Sequence, residues 1–265
     1  MPKLNSDEKF IDVSDYGRPI ATAVALRLKN SSATPVHITI LFGISGLVAA
    51  AFILYEQYAA AGFFLILKSI IDAIDGELAR VKERPSYTGR YLDSIFDYLL
   101  NFILIAVLWY VTNSSLTAAI LAFISIQLQG TLYNYYYVIL RHHSKNGDKT
   151  SNIFETETPE AYPQENQATV NRLFLIYRGF YSLFDWCIYK LDRNASEGAP
   201  FPSWFMSMLS IYGLGFQLLL MAIFLTVGWI HYIIPFFIGY SVLVGFFIAI
   251  RKVVFTPEYS QNRLG

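Results

Sequence analysis

Four aspartates, Asp72, Asp75, Asp93 and Asp97, fall within 26 positions of a chain that is otherwise apolar enough there to cross a membrane. Charged side chains at such depth are expensive and mark functional sites. Residues three and four apart share a helix face, so Asp72, Asp75 and Ala79 line one side of a first helix, and Gly89, Asp93 and Asp97 one side of a second. Two acidic stripes facing each other across a hairpin would repel unless cations sat between them. Hard divalent ions such as Mg²⁺ suit an all-oxygen donor set and complete their shells with phosphate oxygens. Two such ions clamp a pyrophosphate and stabilise both the entering and the leaving oxygen of an in-line displacement. Gly76, Ala79 and Gly89 carry almost no side chain, which lets a ligand approach the backbone closely. Arg80, one turn from the acids, offers a fork of donors to a phosphate.

The full pattern reads Asp72-x2-Asp75-Gly76-x2-Ala79-Arg80-x8-Gly89-x3-Asp93-x3-Asp97. At each of its eight defined positions it resembles the signature of the CDP-alcohol phosphotransferase family of integral membrane enzymes. The resemblance implies that a CDP-linked donor gives a phosphoalcohol or phosphatidyl group to an acceptor hydroxyl, releasing CMP, within phospholipid biosynthesis. It further implies that Asp72, Asp75, Asp93 and Asp97 bind two divalent ions, Mg²⁺ or Mn²⁺, and that Asp97 is also the general base. Gly76, Ala79, Arg80, Gly89 and Thr39 would hold the CDP moiety, and the chain would form a homodimer. Family members often carry Pro-Asn-x-x-Thr ahead of the first span; here Pro35 and Thr39 fit, but Val36 replaces the Asn, and His37 is a candidate substitute.

The elements that must position these residues follow from hydropathy. With 54% hydrophobic and 15% charged residues over 265 positions and a mean hydropathy of +0.40, the chain reads as one polytopic all-α membrane domain. Zero net charge gives no sign of a nucleic-acid partner, and the single Cys187 excludes a disulfide framework within the chain. The first 20 residues, polar and mixed in charge, lack the apolar core of a cleavable signal peptide and read as irregular. Residues 1–36 are expected to form an N-terminal cytoplasmic segment with a juxtamembrane helix near 16–29, residues 37–252 the membrane domain, and residues 253–265 a short tail.

Six transmembrane helices are expected, at about 37–58, 61–81, 91–111, 116–140, 203–227 and 230–250. Residues 170–191, interrupted by Arg172, Arg178, Asp185 and Lys190, read as an interfacial helix, with lipid headgroups as the default contact of Arg178. Residues 142–167 read as a long, mobile loop in which His142 and His143 are solvated. Lys68, one turn before Asp72, can balance the carboxylates or reach a phosphate. Gln127, Gln129 and Asn134 are candidates, with Lys68, for the acceptor pocket; the alternative is an interfacial belt, the reading adopted for Tyr135, Tyr136 and Tyr137. Gly213, Gly215 and Gly239 are assigned to close helix packing. Of the 20 Lys and Arg, Lys68 alone lies well within a span and the others sit at one side, so the positive-inside rule puts the acids and both termini in the cytoplasm.

Carboxylates at depth also mark ion paths, which makes an ion-coupled transporter the reading from another class. The acids cluster at one membrane side, the small residues and Arg80 are spaced for a phosphate ligand, and the motif is not repeated, all of which favour transfer. The acceptor is open: Tyr98 stands where relatives with phosphorylated acceptors often carry Lys or Arg, whereas the DGELAR wording resembles members that handle inositol-phosphate groups.

Overall fold

The computed structural model describes residues 9–144, 152, 155–198 and 200–255. Among them stand ten α-helices and no strand: α1 (Arg18–Leu28), α2 (Pro35–Leu54), α3 (Tyr58–Val81), α4 (Tyr87–Thr112), α5 (Leu116–His143), α6 (Gln167–Leu191), α7 (Ser203–Leu209), α8 (Leu214–Thr226), α9 (Ile230–Tyr240) and α10 (Val242–Val254). Helix starts are set by local hydrogen bonding. Thr34 caps α2 in a reciprocal box with His37, Ser86 caps α4 through Gly89 N, Ser115 caps α5, and Asn166 caps α6. His37 is therefore occupied by the backbone of its own helix.

Four runs are long and apolar enough to cross a membrane: α2, α4, α5 and the continuous stretch Ile230–Val254. A fifth is added if α7 and α8, bent by 50° at Gly213, form one broken span. The six expected spans are thus four to five on length and composition. Helix α3 falls outside because it carries Lys68, Asp72, Asp75, Glu77 and Arg80 from its middle onward. It nevertheless packs between α1, α2 and α8, inside the bundle. An apolar cluster including Ile53, Leu65, Leu104, Met221 and Phe237 joins α2, α3, α4, α8 and α9 at the end away from the acids. Large apolar side chains such as Leu41, Phe63, Phe102, Leu121 and Phe246 stay exposed on the outside, as lipid-facing positions do.

Helix α6 packs on α4 and α5. Early in α6 Phe174 meets Tyr91 near the start of α4, Phe180 stacks on Tyr98 at 4.4 Å, and beyond its C-terminus the Asp192 carbonyl accepts from Tyr135 late in α5. Helix α6 thus joins the first turns of α4 to the later part of α5. Its outward face is mixed, with Leu175, Leu183 and Trp186 exposed beside Arg172, Arg178 and Lys190. Asp192, fully buried, pairs with Arg251 and accepts from the Tyr136 hydroxyl at 2.5 Å, fastening α6 to α5 and α10.

Three segments depart from expectation. Tyr135 and Tyr136 are buried against Phe201 and Asp192 rather than set in an interfacial belt, because their hydroxyls find partners inside. The described part of the 142–167 loop is docked. The Glu155 carboxylate pairs with Arg90, Tyr162 stacks on Tyr87 at 4.9 Å, and Glu165 accepts from Ser86 Oγ and the Tyr87 and Thr88 amides at the positive end of α4. Burial pushes Glu165 up, but these hydrogen bonds outweigh it and hold the carboxyl below the ordinary glutamate value. Finally, residues 10–16 form a strap over α8: Ile11 N donates to Ser207 Oγ, Val13 N to Ser210 Oγ, and Tyr133 OH to Asp12 Oδ2. Gly213 and Gly215 admit this strap rather than another helix, for a Cβ at Gly215 would stand 2.0 Å from the Ser14 carbonyl oxygen.

Candidate active site

The hairpin of α3 and α4 brings the acids together as their spacing requires. One carboxylate oxygen each from Asp72, Asp75 and Asp93 lies within 4.8 Å of the others. Ligands of one Mg²⁺ ion stand about 3.0 Å apart when adjacent and about 4.2 Å when opposite, so these three oxygens are near enough for small side-chain rotations to bring them onto one ion. Thr39, fully buried on α2, donates to Asp75 Oδ2 at 2.8 Å and sets that carboxylate's rotation. Asp93 Oδ1 is buried with no hydrogen-bond partner among the described residues. A buried carboxylate oxygen left unsatisfied is costly, and a hard cation is the ligand that an all-oxygen set of this kind would satisfy. The residues therefore fit the divalent ion that the sequence implies.

Asp97 stands apart from that group. Its Oδ1 accepts from Lys68 Nζ at 2.5 Å, and the same ammonium lies 3.0 Å from Asp72 Oδ2. Lys68 is 2% exposed, with the Phe42 ring 4.5 Å from Nζ. It balances carboxylates, one of its two expected roles, and lines neither of the cavities described below.

Two adjacent cavities meet at the acids. The larger, about 670 Å³, is lined by Thr39, Gly76, Ala79, Arg80, Gly89 and Tyr162 among others. The smaller, about 420 Å³, takes in Asp72, Asn134, Tyr137, Arg141 and the strap residues Asp12 and Ser14. Their shared wall is Asp75, Gly76, Arg80, Arg90 and Asp93. A Cβ on Gly76 would meet nothing nearer than Arg80 at 3.6 Å, so the neighbouring protein atoms leave room for a side chain there. Arg80 is held by Glu77, which also takes Arg18 from α1.

All five residues expected to hold CDP, Thr39, Gly76, Ala79, Arg80 and Gly89, line the larger cavity. Of the four acceptor-pocket candidates, Asn134 lines the smaller one. Gln127 and Gln129 do not: Asn101 donates to Gln127, and Gln129 donates to the Phe237 carbonyl and Ser241 and accepts from Gln217. They tie helices together through buried amides, which is why polar residues are tolerated at that depth. Arg178 donates to the Thr156 carbonyl at 3.4 Å. Tyr98 is stacked among Phe180, Phe123, Tyr181 and Phe184, packing α6 rather than facing a cavity.

Several cavity residues escaped the sequence reading: Arg18, Glu77, Arg90, Glu155, Tyr162 and the strap. Arg90 and Glu77 carried a local signal, since each lies beside a motif residue. Glu155 and the strap reach the site from distant sequence, with no periodicity to announce them.

Residues 32–154 match a family model described as CDP-alcohol phosphatidyltransferase. Three curated proteins, each called "Bifunctional IPC transferase and DIPP synthase", are similar to this chain. That of Thermococcus kodakarensis is 38% identical over 95 residues, 36% of this chain and 22% of the relative. That of Aquifex aeolicus is 33% identical over 94 residues, 36% and 22%, and that of Archaeoglobus fulgidus 29% over 105 residues, 40% and 21%. The chain thus spans about a fifth of the length of these relatives.

Proposed function

We propose, from the membership of residues 32–154 in the CDP-alcohol phosphatidyltransferase family, that the chain transfers a substituted phosphate from a CDP-linked donor to an acceptor hydroxyl within the membrane. The observation that carries this reading is the meeting of two cavities at one acidic wall, Asp75 and Asp93. The larger cavity takes the cytidine diphosphate, with Gly76, Ala79 and Gly89 leaving room for it and Arg80 turning from Glu77 to the pyrophosphate. The smaller takes the acceptor. A divalent ion held by Asp72, Asp75 and Asp93 would neutralise the donor's pyrophosphate. Thr39 keeps Asp75 aimed at the shared wall.

Asp97 serves as general base. Lys68 fixes its Oδ1 and leaves Oδ2, which accepts no hydrogen bond from the described residues, to take the acceptor proton. The acceptor oxygen then forms its bond to phosphorus as the bond to CMP breaks. In the membrane α3 is a sixth span, sheltered by its neighbours, and the acids, the basic helix ends and both termini face the cytoplasm. The protein works as a homodimer in phospholipid biosynthesis.

A second reading concerns the acceptor. Tyr98 packs α6, so its identity says nothing about acceptor charge, and the smaller cavity sets Arg18, Arg80, Arg90 and Arg141 among acids such as Asp12, Asp15, Glu77 and Glu155, with Asn134 and tyrosines. Such a wall suits a hydroxyl-rich phosphorylated acceptor of the inositol-phosphate type, the class that the DGELAR wording also resembles. The test is exchange of labelled CMP into a panel of CDP-linked donors by protein purified in detergent with Mg²⁺, followed by product analysis with each acceptor class. Metal-dependent exchange is expected. Its absence with every donor, together with solute flux in vesicles, would instead establish a transporter.

A further inference from the structure

Two cations are what the sequence pattern asks for, yet the four acids do not form one group. Asp72, Asp75 and Asp93 converge, and Asp93 supplies a buried oxygen with no other partner. Asp97 is joined instead to Asp72 through the Lys68 ammonium, by contacts of 2.5 and 3.0 Å. We propose that Lys68 takes the place of the second cation: the donor-free site holds a single divalent ion among Asp72, Asp75 and Asp93, while the ammonium bridges Asp72 to Asp97. The proposal rests on the transferase reading and specifies how its site is charged.

Three observations support it. Lys68 is in position by covalent geometry, four residues before Asp72 on the same helix face. Its ammonium is 2% exposed and lies 4.5 Å from the Phe42 ring, which adds a cation–π attraction. Moving it aside for an ion would leave a buried charge without its partners, which is strongly unfavourable. Four carboxylates, one ammonium and one divalent ion leave a single negative charge, so neutrality does not demand a second ion before the donor arrives. Asp97, released from metal binding, is then free to act as the base.

The experiment is Mn²⁺ titration of the full chain in detergent without donor, read by bound-metal analysis and by electron paramagnetic resonance. The wild type is expected to bind one Mn²⁺ with the six-line spectrum of an isolated ion. Lys68→Met is expected to bind two, with the broadened spectrum of a coupled pair. Two ions in the wild type would overturn the proposal, as would one ion in a folded Lys68→Met. If that variant does not fold, Asp97→Asn decides. A loss of affinity for the single ion beyond about 100-fold, more than removal of an outer-shell partner costs, makes Asp97 a ligand and refutes the proposal, and any smaller loss supports it. A coupled pair in protein that exchanges CMP defeats this inference alone, whereas no bound ion and no exchange defeats the transferase reading as well.

Discussion

Replacing Gly215 by alanine tests whether the N-terminal strap forms one wall of the acceptor cavity. The new Cβ would stand 2.0 Å from the Ser14 carbonyl oxygen and 2.9 Å from Ser69 Oγ, where ordinary contact begins at 3.4 Å. The strap must back away by at least ~1 Å to relieve that overlap. Such a shift carries the bonds from Ile11 N to Ser207 Oγ, 2.9 Å, and from Val13 N to Ser210 Oγ, 3.0 Å, beyond useful range. It also strains the Tyr133 to Asp12 bond, 2.6 Å and charge-assisted. With about 1 kcal/mol for each neutral bond and about 1.5–3 for the charged one, closure of the strap weakens by roughly 3–5 kcal/mol. Hydrogen exchange followed by mass spectrometry reads those same amides, and at a factor of ten per 1.4 kcal/mol the strap should exchange about 10²–10³ times faster. The KM for acceptor should rise well beyond that for donor, because Asp12 and Ser14 line only the smaller cavity. Unchanged exchange at Ile11 and Val13 in a folded variant would show that the strap is not held over Gly215, and the wall assignment would fall with it.

Other outcomes follow from the same geometry. Asp97→Asn should lower transfer by about 10²–10⁴, the usual contribution of a general base, in protein that still folds because Asp72 keeps the Lys68 ammonium paired; full activity would remove the assignment. Arg251→Met strands the buried Asp192 carboxylate and should cost about 3–5 kcal/mol, seen as a lowered melting temperature in detergent that the further change Asp192→Asn largely restores. The depressed Glu165 carboxyl stabilises the docked loop above the ordinary glutamate value, and that contribution is lost as pH falls through its lower folded value. Proteolysis at residues 155–166 should therefore accelerate below about pH 4 in wild type, with the acid-dependent step absent from Glu165→Gln.

The acidic hairpin was legible in the sequence because its information is local: three- and four-residue spacing fixes a helix face, and a short turn fixes which faces meet. The same rule placed Lys68 beside Asp72, but its contact with Asp97 depends on the register between α3 and α4, which spacing alone leaves free. Gln127 and Gln129 looked like pocket residues because hydropathy reports polarity and not the partner, and their partners are a carbonyl and amides on other helices. A count of spans by apolarity leaves out α3, which carries charge, and turns on whether a bent pair is taken as one, as at Gly213. The docking of Glu165 on α4 bridges 77 to 79 positions and rests on a helix dipole and three donors, none of which leaves a periodic trace.

The shared wall of the two cavities has a kinetic consequence. On the proposed reading each reactant would have its own chamber, and both cavities are lined by Asp75 and Asp93, so neither molecule need depart before the other arrives. Turnover then passes through a ternary complex with no covalent phosphoenzyme, and double-reciprocal plots at several fixed levels of the second reactant should intersect instead of running parallel.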